Sequence, residues 1–342
     1  MGPFPDWTVQ LKLLFGFVIN LFLLATCSAQ LPSYYKTVNR VTWLVQDIDK
    51  VRPAWEALGL TDIHEYPNIT LTGQYHGTPA TIYVWEITGR IGNLSVEMIQ
   101  PAEGQLNAFN DFLMKHGDGI FSIVYEVSSQ KEMQQEVQRM NGLNVPVLQQ
   151  LTTTRDGAPI TFTWFDSEQF GKYSLGLVYR PGGASPTAPA TGGPKVTHFG
   201  AVIRDGGSVS AFWQRLGFPS FTVQTEPPRA DLRYRGQPLT LAFGTGAQQY
   251  SQFTNEWVTS PTSSATPPNI YADFMKAHHN QEGIQHIGIA VDDLDKAIAA
   301  YEKAGFQVRQ SGSWDAGAKS LRYAGMDTDS KGGVTVELVQ AN

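Results

Sequence analysis

One unit is written four times along this chain of 342 residues. Each copy starts with alternating apolar residues, continues into a polar helix start, and ends its helix near a glycine. The copies read RVTWLVQDIDKVRPAWEALGL from Arg40, SIVYEVSSQKEMQQEVQRMNGL from Ser122, HFGAVIRDGGSVSAFWQRLGF from His198 and HIGIAVDDLDKAIAAYEKAGF from His286. From strand start to glycine the spacing is 19, 20, 19 and 19 residues, ending at Gly59, Gly142, Gly217 and Gly305. A glycine there suits a left-handed helix end. Self-similarity at this period constrains the fold more than any single motif.

After each helix the chain turns β-rich. Three copies carry a Gly-x-Pro turn, at Gly77, Gly157 and Gly236, and all four close on a strand: LSVEMIQP, SLGLVYRP, FTNEWVTSP and VTVELVQ. Each unit is thus predicted as strand, helix, then about three antiparallel strands. The first and third copies match further. Tyr75 precedes Glu97 by 22 residues, as Tyr234 precedes Glu256, and NAFNDFLMKH (residues 107–116) parallels NIYADFMKAH (residues 269–278). The chain reads as two copies of a two-unit domain, 35–181 and 194–342. They are joined by GGASPTAPATGG at 182–193, a Gly/Pro/Ala linker without periodicity.

The first thirty residues differ from the rest. Lys12 precedes an apolar run from Leu13 to Ala25 that ends in Cys27-Ser28-Ala29. This predicts a signal peptide over 1–29 and a secreted or periplasmic protein, with an uncleaved N-terminal anchor or a lipid on Cys27 as alternatives. Cys27 is the sole cysteine, so a chain cut after Ala29 has no thiol nucleophile, disulfide or thiolate ligand. A net charge of −6 offers no basic footprint for nucleic acid.

The repeat exposes a candidate site. His198 and His286 open equivalent strands, and Glu256 and Glu337 lie on later strands of the same two units. Two units that each supply one histidine and one glutamate can close around one divalent metal. Paired imidazoles and carboxylates suit Fe, Mn, Ni, Zn or Co. Tyr234, on a strand leading to that of Glu256, is a candidate to line the substrate cup, although its twin Tyr75 argues for a structural role. The other histidines, His64, His76, His116, His278 and His279, are expected on loops or helix ends, the adjacent His278 and His279 at a solvated helix end, with weak metal binding as the alternative.

These residues resemble the vicinal oxygen chelate superfamily, which includes glyoxalase I, methylmalonyl-CoA epimerase, extradiol dioxygenases and the fosfomycin and bleomycin resistance proteins. HIGIAVDDLDKAIAAYEKAGF and VTVELVQ are similar to its first strand and helix and to its last strand. The resemblance implies an α+β fold in which four βαβββ modules pair into two glyoxalase-like domains, each an open cup of mixed sheet with helices outside. It assigns His198, Glu256, His286 and Glu337 as ligands of one metal, with Glu256 or Glu337 able to move a proton. The same positions in the first domain hold Arg40, Glu97, Ser122 and Gly176, so that domain has lost its metal site, and Arg40 is placed to pair with Glu97.

The expected function is that of an exported metal-dependent enzyme acting on a small hydroxy, keto or aromatic diol compound. If Glu256 binds metal, the four-ligand set matches the isomerase and lyase branches. If it points away, His198, His286 and Glu337 form the facial triad of a dioxygenase. The alternative is a small-molecule sequestering protein without turnover. The only partner expected is that small molecule, and the chain acts as a monomer or homodimer.

Overall fold

The computed structural model describes residues 30–155, 157–182, 193–259, 261, 266–316 and 319–341. The expected signal segment and most of the linker lie outside these residues. In the first unit β1 (Val38–Leu44) leads to α1 (Ile48–Ala57), β2 (Leu60–Tyr75), β3 (Thr78–Ile91) and β4 (Leu94–Pro101). Helix α2 (Ala108–His116) connects to β5 (Gly119–Val127), α3 (Gln130–Gly142), β6 (Val147–Arg155), β7 (Ala158–Phe165), the single turn α4 (Glu168–Gly171) and β8 (Ser174–Tyr179). The third unit is β9 (Lys195–Ile203), α5 (Gly206–Arg215), β10 (Gln224–Glu226), a small hairpin β11 (Arg233–Tyr234) and β12 (Gln237–Pro238), then β13 (Phe243–Gln249) and β14 (Thr254–Thr259). Helix α6 (Ile270–Ala277) precedes β15 (Gly283–Ala290), α7 (Leu294–Lys303), β16 (Val308–Ala316), β17 (Lys319–Met326) and β18 (Thr335–Ala341). Among the described residues no helix is long and apolar enough to cross a membrane.

The four repeats share their local chemistry. Asp47, Ser129, Asp205 and Asp293 each accept the backbone N–H of the residue three positions on, at the start of α1, α3, α5 and α7. Such a cap stabilises a helix by about 1 kcal/mol. Three of the four helices end on a glycine with positive φ, at Gly59, Gly217 and Gly305. The second copy differs: Gly142 stays helical, and Asn144 (φ 56°) takes the left-handed position instead, a conformation that asparagine tolerates. His76-Gly77 and Arg235-Gly236 both turn with two consecutive positive φ values, the geometry that joins two strands through a two-residue loop.

The first half closes into a barrel in the order β1-β4-β3-β2-β6-β7-β8-β5. Closure comes from β2, whose distal end (Thr72 to Tyr75) pairs with β6. The second half is an unclosed ten-stranded sheet, β10-β13-β14-β9-β15-β18-β17-β16-β11-β12. Its two units meet at β9 and β15, which run antiparallel at the centre. One apolar core spans both halves, joining Tyr35, Trp43 and Trp55 to Phe199, Trp213 and Trp257. The halves are also tied by hydrogen bonds. Trp43 and Trp55 donate their indole N–H to the carbonyls of Gly332 and Lys331, both at 2.6 Å. Arg139 donates to the carbonyl of Leu216 at 2.9 Å, and Arg215 reciprocally to that of Leu143.

Candidate metal centre

Four central strands carry the candidate donors, one each. In register, Gly200 on β9 lies between Glu256 on β14 and His286 on β15. Gly288 on β15 lies between His198 on β9 and Glu337 on β18. Strand side chains alternate, so residues two apart share a face, and these two rows are neighbours on the concave side. Each row places a glycine between a histidine and a glutamate. The imidazole reaches across the bare glycine to the carboxylate: His286 Nε2 lies 3.1 Å from Glu256 Oε2, and His198 Nε2 lies 3.2 Å from Glu337 Oε2. The cross distances, His198 to Glu256 and His286 to Glu337, are both 3.8 Å.

This donor set fits a metal ion. Two ligands each about 2.1 Å from a common centre stand about 3.0–3.4 Å apart at right or tetrahedral angles, close to the observed 3.1–3.8 Å. The tautomers point the same way. The Gln285 amide oxygen accepts from His286 Nδ1 at 2.6 Å, and its amide nitrogen donates to Thr335 Oγ1. The Thr197 hydroxyl donates to the Gly288 carbonyl and lies 3.0 Å from His198 Nδ1 as its acceptor. With protons on both Nδ1 atoms, both Nε2 lone pairs face the carboxylates. Such an arrangement is stable only with positive charge between them, either protons or a metal ion. Burial disfavours the charged form of His198, but the Glu337 bond and the charges of Glu256 and Glu337 outweigh it and raise its pKa. Burial likewise opposes ionisation of Glu256, yet the His286 bond and both imidazoles hold its pKa below the ordinary carboxylate value.

Glu256 and Glu337 line a cleft together with Leu232, Leu241, Phe243, Tyr271, Trp314 and Tyr323 among others. The two carboxylates thus face a cleft whose walls are largely apolar and aromatic. Glu256 is the most accessible donor, its side chain 25% exposed, whereas that of His286 is 2% exposed. Tyr234 is not brought to this cleft's lining. Its hydroxyl donates to Asp273 at 2.6 Å, just as that of Tyr75 donates to Asp111 in the first half. The shared bond braces a hairpin against the helix that follows it.

In the first half the corresponding place is filled by charge and bulk. Arg40 pairs with Glu97 at 3.1 Å, as their positions suggest. Arg155 joins them, pairing with Glu86 and standing 3.7 Å from Glu97. Burial and the nearby Glu97 push Glu86 up to about 8 against the pull of Arg155 and Arg40. The residues opposite Arg40 and Ser122 are Val124 and Thr42, not glycines. Trp164, paired with Gly176, takes the place held in the second half by Gly325, paired with Glu337.

Gly200, Gly288, Thr197 and Gln285 were not singled out from the sequence, although a signal existed. Both histidines stand in a His-x-Gly pattern preceded by a polar residue. Of the remaining histidines, His64 and His278 depart from expectation, and His116 stands at a helix end as expected. His64 is exposed but lies within β2. His116 is buried at the end of α2, its Nε2 2.8 Å from Glu168. His278 is buried (5% exposed) against the ring of Phe274 at 4.1 Å, with only its neighbour His279 outside.

Comparison with known proteins places the chain. A family model described as the Glyoxalase/Bleomycin resistance protein/Dioxygenase superfamily matches residues 39–162 and again 197–324. The fold is similar to that of a mutant of 4-hydroxymandelate synthase from Streptomyces coelicolor, with TM-score 0.60 and 14% identity over 90% of this chain and 93% of that one. It is also similar to a xylose isomerase-like TIM barrel/4-hydroxyphenylpyruvate dioxygenase fusion protein, with TM-score 0.52 and 14% identity over 91% of this chain and 49% of the fusion. No curated protein matches the sequence. Two matched stretches, each a curled sheet of two repeated units, make this chain a two-domain member of the Glyoxalase/Bleomycin resistance protein/Dioxygenase superfamily.

Proposed function

We propose that the second domain is a metal-dependent isomerase or lyase acting on a small hydroxy, keto or aromatic diol compound, and that the chain is exported through residues 1–29. The observation that carries the reaction type is the position of Glu256. Its carboxylate stands 3.1 Å from His286 Nε2 and 3.8 Å from His198 Nε2, which supports a four-donor set of His198, Glu256, His286 and Glu337 over a three-donor facial triad. A divalent ion held there supplies Lewis-acid stabilisation of negative charge on a substrate oxygen. The protein's own part is positioning and proton transfer. The apolar walls orient a flat substrate and exclude water. Glu337, 8% exposed, is the deeper anchor. Glu256, ionised and nearest the cleft, accepts a proton from substrate carbon at a carboxylate oxygen and returns it to a neighbouring atom.

The test is elemental analysis of the mature chain, purified without chelator or affinity histidines, beside His198→Ala, His286→Ala and Glu256→Ala. About one Fe, Mn, Ni, Zn or Co per chain, lost in all three variants, is expected. Retention in Glu256→Ala together with O₂ uptake on catechol would replace the isomerase reading by dioxygenase chemistry. No metal in the wild type, even after reconstitution, would leave a small-molecule binding protein.

A further inference from the structure

The internal repeat provides a control for each residue near the donors. Asn107 and Asn269 cap α2 and α6 identically, each accepting the N–H groups two and three residues on. Phe109 and Tyr271 are therefore equivalent positions. Phe109 is fully buried and packs its ring against Phe121 and Trp164 at 5.7 and 5.1 Å. An aromatic ring thus meets the packing demand of this position without a hydroxyl. In the half that carries the histidines, the residue is tyrosine.

Tyr271 is 5% exposed and lines the same cleft as Glu256 and Glu337. Its hydroxyl makes no hydrogen bond to any described residue. With no partner in the protein, the hydroxyl of this cleft-lining residue is free to bond to something that enters the cleft. A tyrosine hydroxyl carries its proton at neutral pH and so can donate it. Tyr234 shows the opposite pattern, since its twin and its carboxylate partner are both present in the metal-free half.

We propose that the Tyr271 hydroxyl donates a hydrogen bond to an oxygen of the substrate, a contact that rests on the metal-enzyme reading above and specifies it. The substrate then carries an oxygen acceptor facing α6 as well as the oxygen directed at the four donors. The probe for this is 4-nitrocatechol, a two-oxygen ligand whose visible spectrum reports its binding and ionisation. It is titrated into metal-loaded wild type, Tyr271→Phe and, as a control in the other half, Phe109→Tyr. Tyr271→Phe is expected to keep its metal and its melting temperature and to bind the probe about three- to tenfold more weakly, the worth of one hydrogen bond. Phe109→Tyr is expected to leave probe affinity unchanged. Unchanged affinity in metal-loaded Tyr271→Phe overturns the assignment while leaving the metal-enzyme reading intact. Metal-loaded wild type that ignores the probe also overturns it, and a wild type that takes up no metal overturns both.

Discussion

The imidazole of His286 occupies the space above Gly200 so fully that a methyl group on residue 200 would come within 1.8 Å of its Cε1 atom. Gly288 stands in the same relation to His198, again at 1.8 Å. Neither glycine has positive φ, so each is required for space and not for backbone conformation. Gly200→Ala and Gly288→Ala are expected to displace one imidazole and lower metal affinity by at least about tenfold, the lower end of what lost ligand support costs. Gly142→Ala, where a Cβ meets nothing within 4 Å, is the control. Competition with a chromophoric chelator measures the difference.

Gln285 fixes the His286 tautomer through a 2.6 Å bond and is itself anchored on Thr335. Gln285→Leu leaves all four donors in place but frees the ring to rotate. Metal affinity is expected to fall about 10- to 100-fold, as for other supports of metal-bound histidine. Equal affinity in wild type and variant, by the same competition, would show that the strand alone orients the ring.

Acid is expected to weaken the joint between the two halves. Burial and the nearby His116 imidazole push His278 down to about 4. Between its ordinary pKa of 6.5 and that value the unfolded chain binds more protons, so stability falls as pH drops through this window. Glu168 follows at lower pH. Burial opposes its ionisation, but bonds from His116 and Lys115 hold it down to about 2. Its contribution is complete above the ordinary 4.5 and is lost as pH falls toward 2. Each shift corresponds to roughly 3 kcal/mol when fully expressed. Denaturant melts at about pH 7, 5.5 and 4, which bracket the histidine window, are expected to show a steeper loss for wild type than for His278→Gln.

Restoring donors to the first half is expected to fail. Arg40→His, Ser122→His and Gly176→Glu together recreate the donor list around Glu97. The histidines would still face Val124 and Thr42 instead of glycines, and Trp164 would still crowd residue 176, whose Cβ falls 3.1 Å from its ring. Metal titration of this variant, made in a His198→Ala, His286→Ala background, should show no tight site. Adding Thr42→Gly and Val124→Gly addresses the first obstacle. Tight binding by the triple change alone would mean that the donors themselves suffice.

Much of this was legible because repetition turns single residues into patterns. Four helix starts, four helix ends and four closing strands each supported the others, and the donors emerged as matched positions in two copies. Pairwise geometry across strands was less legible. Gly200 and Gly288 act on residues 86 and 90 positions away, and the sequence shows only that glycine recurs. Arg155 and Glu86 joined the Arg40–Glu97 pair because the barrel closes through β2 and β6, a long-range pairing that no local pattern encodes. His278 looked solvated from its place at a polar helix end, and the neighbouring half buries it. For Tyr234 the clue was present, since its twin Tyr75 lies in the half that lacks the two matched histidines.

The reciprocal bonds of Arg139 and Arg215, with Trp43 and Trp55 reaching Gly332 and Lys331, give the first half a structural role. It behaves as a permanently tethered companion subunit. Because one core runs through both halves, a damaging change in the first half is expected to unfold the second as well, whereas loss of a candidate donor is expected to leave the chain folded. Variation should therefore be purged at Trp43, Trp55 or Tyr35, far from the candidate donors. The first half is constrained by its seam.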